Sequence, residues 1–154
     1  MTEDLFRIAD DLAGQDGPGR PREAYLRRSM STTYYALFHA LAKVCADELI
    51  GVTRGNTEPW IRVYRALEHG VAKTALNQNP VQKLDPAVKT FATAFTELQE
   101  KRHTADYDPR PFPFGRKVTR GYIKQARTAV AALAGLNSEY RRVIATAVLF
   151  KSRP

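Results

Sequence analysis

The sequence predicts an all-α protein, and three observations support this fold class. Apolar residues recur at helical spacing along most of the chain, and no segment shows the sustained alternation of a half-buried strand. Segments rich in glycine and proline separate the helical segments. A length of 154 residues also suits one domain with its own core. We therefore predict a single domain over residues 1–154, a bundle of five to six helices with its core at about 1–135 and a C-terminal helix at about 138–150.

The first two predicted helices have clear start and stop residues. The first begins near Thr2, a good N-cap, and ends at the loop GQDGPGRP, which holds three glycines and two prolines. The second runs from about Pro21 to Leu49. Five of its apolar residues follow one another at spacings of three or four, so they share a face that we expect in the core: Tyr34, Phe38, Leu41, Cys45 and Leu49.

Proline also marks the third and fourth predicted helices. Pro59 suits the first turn of a third helix, which continues until the segment NQNP stops it. Asp85 followed by Pro86 predicts the cap and first turn of a fourth helix. That helix should run to about Tyr107, because the following PRPFPFG segment forbids helix.

The positive charge is concentrated in the last third of the chain. The net charge is +8, and residues 101–154 hold 12 Lys and Arg against 3 Asp and Glu, whereas residues 1–100 hold 12 against 13. This asymmetry suggests an anionic partner, with nucleic acid first, a nucleotide or phosphate second, and an acidic protein or membrane surface third. A basic surface that only aids solubility explains the same composition.

Composition also argues against several classes of site. No apolar run approaches the 18 residues of a membrane span, and the start MTEDLFRIADDL is acidic where a secretory signal is basic. We therefore expect a cytoplasmic protein without a membrane partner. Cys45 is the single cysteine, so it forms no internal disulfide, and no His cluster accompanies it. We expect a buried thiol, no metal site and no cofactor.

The fourth predicted helix carries an arginine on its core face. Arg102 is the next position on the stripe of Val88, Phe91, Phe95 and Leu98. A buried guanidinium without an anion costs several kcal/mol, so Arg102 should pair with a carboxylate or line a solvent-filled groove. Asp106, one turn later, is the nearest carboxylate, and a helix-end ion pair without other function is the simpler alternative. Gln99, His103 and Tyr107 share a neighbouring face and complete a polar cluster at this helix end.

Histidines and arginines also fall together in the third predicted helix. Arg62, Arg65 and His69 follow at spacings of three and four, so they should share a face. Two guanidinium groups and an imidazole can bind a phosphate, although a solvated charged face explains the same pattern. His39 lies beside the core stripe of the second helix, and we expect it to be a hydrogen-bonded, partly buried histidine.

The fifth predicted helix, from about Thr119 to Ala134, has the most regular charge pattern. Four cations there and just before it recur at spacings of three and four, and we predict that they form an exposed ridge able to follow a phosphate backbone: Lys117, Arg120, Lys124 and Arg127. The sequence has no zinc finger, no RNA-recognition aromatic signature and no convincing helix-turn-helix. It also lacks a Walker A loop, a dinucleotide-binding glycine motif, a GxSxG elbow and an HExxH pair.

Two segments resemble the HEPN superfamily of small helical-bundle proteins. They are RRSMSTTYYALFHALA at residues 27–42 and LQEKRHTADYDP at residues 98–109, and the likeness is to a prokaryotic branch with an Arg-x-x-Ala-Asp-Tyr ending. The likeness covers roughly residues 1–135. It implies an up-and-down bundle and a homodimer in which the arginine segments of two protomers meet at a shared cleft. Many HEPN proteins are metal-independent ribonucleases, often toxins paired with a nucleotidyltransferase-type antitoxin, and others bind nucleotides or only scaffold a partner.

The chain departs from the ribonuclease pattern of that superfamily, which is Arg, four to six residues, then His. Four residues separate Arg102 from Tyr107, which stands where the pattern has His, and His103 is adjacent to the arginine. A tyrosine hydroxyl, with an ordinary pKa near 10, is a poorer base than imidazole. The resemblance still implies binding of RNA or a nucleotide, with Arg102, His103, Asp106 and Tyr107 as catalytic candidates of a toxin-like ribonuclease. The alternative is a non-catalytic module that binds a nucleotidyltransferase-like partner through the same face.

Overall fold

All regular secondary structure in the described part of the chain is helical. The computed structural model describes residues 1–15 and 17–151, so Asp16 of the predicted first loop and residues 152–154 of the predicted domain lie outside the described residues. The eight α-helices found there are α1 Thr2–Gly14, α2 Glu23–Leu49, α3 Glu58–Arg65, α4 His69–Leu76, α5 Asn79–Gln82, α6 Pro86–Tyr107, α7 Arg116–Gly135 and α8 Ser138–Leu149. A short 3₁₀ turn, Val52–Arg54, follows α2. The all-α prediction is confirmed.

The predicted number of five to six helices is wrong, because the predicted third helix is divided. Helix α3 ends at Arg65, and Glu68 has the extended backbone of an N-cap before α4. The two halves pack against different helices, since α3 lies on α2 whereas α4 lies mainly on α8. The residues between them let the chain change direction, and Leu67 is buried at this bend. The one-turn helix α5 then follows at the expected NQNP segment.

Helix α2 is the centre of the bundle. It packs against α1, α3, α6, α7 and α8. Three residues of its predicted stripe, Tyr34, Leu41 and Cys45, are fully buried, and Phe38 and Leu49 pack half-buried against them. The predicted stripe of α6 is buried as well: Val88, Phe91, Phe95 and Leu98. Burial raises the pKa of the Cys45 thiol to about 12, which agrees with an inert core residue.

Side chains of two kinds hold the helix ends. Asp85 accepts a hydrogen bond from the Ala87 backbone N–H at 2.8 Å, which confirms the predicted cap of α6. At the C-terminal ends, arginines from elsewhere in the chain donate to the last carbonyl groups. Arg27 does so for α6, Arg116 for α1 and Arg141 for α7. A cation at this end also interacts favourably with the helix dipole.

None of the helices in the described ranges combines the length and the apolar character that a bilayer crossing requires.

Candidate functional site

Arg102 belongs to α6, and its side chain lies against α2 with three tyrosine rings around the guanidinium group. Its side chain is 13% exposed. The guanidinium carbon is 5.4 Å from the ring centre of Tyr34, 5.9 Å from that of Tyr35 and 5.8 Å from that of Tyr107. The negative faces of aromatic rings attract a cation at this range, and this attraction offsets part of the cost of burying the charge.

The carboxylate beside Arg102 is that of Asp106, as the helical spacing predicts. Its Oδ2 lies 3.6 Å from Nη1 of Arg102 and accepts a hydrogen bond from the Ser31 hydroxyl at 3.2 Å. The Nε atom of Arg102 is buried and has no hydrogen-bond partner in the described part of the chain. The ion pair is therefore loose, and the donors of the guanidinium are not all used within the described residues.

His69 reaches the same cluster from the start of α4. Its Nδ1 is 2.6 Å from the Tyr34 hydroxyl, and its ring stacks on Phe38 with ring centres 4.1 Å apart. His69 and Arg102 both contact the ring of Tyr34, because the imidazole centre lies 5.5 Å from it. The imidazole is therefore adjacent to the buried guanidinium although the two residues are 33 positions apart in sequence.

The protonation of this pair follows from its surroundings. Burial, and secondarily the positive charge of Arg102, lower the pKa of His69 below its ordinary value, so the ring is neutral at pH 7. Burial raises the pKa of Tyr34, so its hydroxyl keeps its proton. Because Tyr34 has no other acceptor in the described ranges, it donates to Nδ1, and His69 carries its proton on Nε2. The imidazole then offers an N–H donor rather than a free base.

A second tyrosine–histidine pair lies next to the first. Nδ1 of His39 is 2.7 Å from the Tyr64 hydroxyl, and the Tyr64 ring stacks on Trp60 with centres 5.0 Å apart. Burial lowers the pKa of His39. The prediction of a hydrogen-bonded, partly buried histidine at this position is confirmed.

The remaining polar residues of the α6 cluster are more exposed. The ring of Tyr107 is 65% exposed and lies 5.1 Å from that of His103, which is also exposed. Oε1 of Gln99 is buried without a hydrogen-bond partner within the described residues. The structure therefore brings together Arg102, Asp106, Tyr107 and His103 on one helix end, as the spacing predicts.

Two basic clusters do not form as expected. Arg62 and Arg65 are exposed on α3, and the bend after α3 separates them from His69, so the prediction that the three share one helix face is wrong. Arg127 does not belong to an exposed ridge, because it donates to Glu3 at 2.7 Å and to Asp10 at 3.0 Å and so fastens α7 to α1. The other ridge residues are exposed: Lys117, Arg120 and Lys124.

Arg27 holds the end of α6 that carries this cluster. Its Nη1 donates to the carbonyl groups of Thr104 and Ala105 at 3.1 Å and of Asp108 at 2.9 Å. Its guanidinium carbon also lies 5.1 Å from the ring centre of Phe112. Sequence reasoning missed this contact, since nothing local links an arginine in α2 to carbonyl groups 77 or more residues later.

The assembled cluster is suited to bind an anion. It contains a largely buried guanidinium with one loose carboxylate partner, and an imidazole whose Nδ1 is hydrogen-bonded to the Tyr34 hydroxyl. Comparison of the chain with protein-family models, with curated proteins and with solved structures gives no match.

Proposed function

We propose that this chain is an HEPN-like protein that binds RNA by holding a phosphate group at Arg102. The observation that carries the proposal is the buried guanidinium itself, surrounded by three tyrosine rings and paired only loosely with Asp106. A group of this kind is unusual as a stabilising device, because a buried charge needs close partners to repay its lost hydration. A phosphate oxygen supplies such a partner.

The two segments that resemble HEPN proteins also meet at this cluster. Residues 27–42 contribute Tyr34 and Tyr35, and residues 98–109 contribute Arg102. The rings and the guanidinium are in contact although the segments are far apart in the sequence. This contact supports the resemblance, because the same residues that carry it also build the cluster.

The proton assignments favour phosphate binding over rapid cleavage. A metal-independent ribonuclease needs a base that removes the proton of the RNA 2′-hydroxyl and a group that stabilises the developing charge. Arg102 fits the second role. His69 presents a proton on Nε2 as long as Tyr34 donates to its Nδ1, so it serves as a hydrogen-bond donor to the phosphate. His103 and Tyr107 remain the exposed candidates for proton transfer.

Binding of a single-stranded 20-nucleotide RNA, followed by fluorescence anisotropy, tests the proposal. Arg102→Gln removes a charge-assisted contact, which corresponds to roughly 1.5–3 kcal/mol, and should weaken binding about 10-fold to 150-fold. Arg62→Gln removes the same charge from an exposed position on α3 and should change the affinity less than threefold. Circular dichroism confirms that both variants fold. An Arg102→Gln protein that folds and binds as tightly as the parent refutes the proposal.

Incubation of the same RNA with the protein in EDTA distinguishes a metal-independent ribonuclease from a protein that only binds RNA. The ribonuclease form requires cleavage that Arg102→Gln abolishes. The binding form predicts intact RNA together with the loss of affinity above. If neither RNA binding nor cleavage occurs, the non-catalytic interaction module becomes the better explanation.

A further inference from the structure

An open groove runs between helices α6 and α7. It has a volume of about 710 Å³. The α6 residues that line it lie on the side of that helix away from the buried stripe and Arg102, since they differ from it by about half a turn. The main lining residues are Lys89, Thr90 and Thr93 from α6, and Gly121, Lys124 and Thr128 from α7.

No acidic residue lines this groove, and each of its two walls contributes a lysine. Helix α7 contains no Asp or Glu, and neither does α6 from Pro86 to Thr96. Lys89 and Lys124 form no ion pair within the described ranges. The next carboxylate along α6, that of Glu97, accepts a hydrogen bond from the Gln125 amide at 2.8 Å. A surface that serves solubility alone intersperses both signs of charge, so this segregation indicates an anionic partner.

The α7 wall is also regular in spacing. The lining residues Gly121, Lys124 and Thr128 follow at steps of three and four, and Lys117, which lies beyond the lining, extends the same row by one turn. At about 1.5 Å of rise per residue the row is roughly 16 Å long. It offers two cations and a hydroxyl to an extended partner, with Lys89 across the groove.

Gly121 leaves the middle of the α7 wall without a side chain. Glycine in the middle of a helix is destabilising relative to alanine, so packing or close approach usually accounts for it. Here a Cβ atom would meet no heavy atom within 4 Å, and the backbone needs no glycine conformation. Neither packing nor backbone conformation accounts for Gly121, as for Gly70 in α4, and its missing side chain leaves room at this point of the groove.

We propose that this groove binds the sugar–phosphate backbone of single-stranded RNA, as a second surface separate from Arg102. The lining has cations and hydroxyl donors but no aromatic ring on which a base could stack, so the contacts follow the backbone without reading sequence. The inference rests on the proposed function only in taking RNA as the partner. The two surfaces use different residues on opposite sides of α6.

Salt-dependent binding of a 20-nucleotide oligouridine by the full chain tests the groove. The double variant Lys89→Gln/Lys124→Gln should weaken binding at 50 mM salt about 10-fold. It should also flatten the slope of log K against log salt by about 1.4, because each lost phosphate contact removes about 0.7. The matched control is Arg28→Gln/Arg54→Gln, which removes two exposed cations from other parts of the surface and should leave the slope nearly unchanged.

A pair of substitutions at Gly121 tests the same surface sterically. Gly121→Glu places a carboxylate in the groove and should weaken binding at least as much as the double lysine variant. Gly121→Gln has the same size without the charge and should have a smaller effect. Equal affinities of parent, lysine variant and Gly121→Glu overturn the groove. The groove proposal is also overturned if polyglutamate displaces the bound RNA as well as unlabelled oligouridine does, because the groove would then bind any acidic chain.

The outcomes for the groove and for Arg102 are separable. If the double lysine variant loses affinity for RNA and Arg102→Gln does not, the groove proposal is supported and the phosphate site proposed at Arg102 is refuted. If only Arg102→Gln loses affinity, the groove fails. A parent protein that does not bind oligouridine overturns both.

Discussion

Replacement of Arg27 by glutamine tests how the end of helix α6 is held. The substitution removes a charged donor shared by three carbonyl groups, those of Thr104, Ala105 and Asp108. A hydrogen bond from a charged group contributes roughly 1.5–3 kcal/mol, and bonds from one nitrogen are not additive. The side chain is 19% exposed, so water replaces only part of what is lost. We expect a loss of about 3 kcal/mol, which for a chain of this size lowers Tm by roughly 6–12 °C.

Thermal unfolding by circular dichroism measures this loss, and the neighbouring residue provides a matched control. Arg28 is exposed and makes no hydrogen bond or ion pair within the described residues, so Arg28→Gln should shift Tm by less than 2 °C. Hydrogen exchange locates the effect. In Arg27→Gln the amides at the end of α6 should exchange faster than those of α1. A Tm within 2 °C of the parent, or faster exchange spread over the whole chain, contradicts the capping role.

Three further predictions follow from the structure. The Glu48 side chain is only 9% exposed, but hydrogen bonds from Ser138 and Arg141 outweigh that burial and lower the pKa of its carboxyl. Glu48→Gln should therefore be less stable than the parent at pH 7, and this difference should disappear in urea titrations as the pH falls below about 4. His69 has a lowered pKa in the folded chain, so stability should fall as the pH drops through about 6.5, and His69→Gln should reduce this dependence in the same titrations. The HEPN resemblance predicts a homodimer with both Arg102 side chains in a shared groove. Light scattering should then give twice the chain mass of 17.3 kDa. A protein that stays monomeric at high concentration contradicts the dimer prediction.

The sequence predicts α6 well because the information that defines this helix is local. Asp85 and Pro86 fix its start, the stripe ending at Arg102 fixes its buried face, and the proline-rich segment after it fixes its end. Each of these depends on neighbours within one or two turns. The ion pair of Arg102 with Asp106 is predictable for the same reason, since the two residues are four apart on one helix.

The division of the third predicted helix could not be predicted in this way. The three residues between α3 and α4, ALE at 66–68, contain no proline or glycine, and the apolar spacing continues across them. The bend depends on tertiary packing, because α3 and α4 rest on different neighbours. His69 therefore moves from a supposed arginine face to the hydroxyl of Tyr34, and only the folded chain brings it beside Arg102.

The basic residues of α7 make different contacts, so a count of charges in the sequence does not show which of them are available to a partner. Arg116 and Arg127 are used within the fold, where they hold α1 through its carbonyl groups and its acidic residues. Lys124 and Lys117 have no such partner in the described part of the chain and lie on the outer face of the helix. Composition gives all four the same weight. The cations that we propose to meet an anionic partner are therefore the loosely paired Arg102 and the two unpaired lysines of the α6–α7 groove, rather than a four-residue ridge.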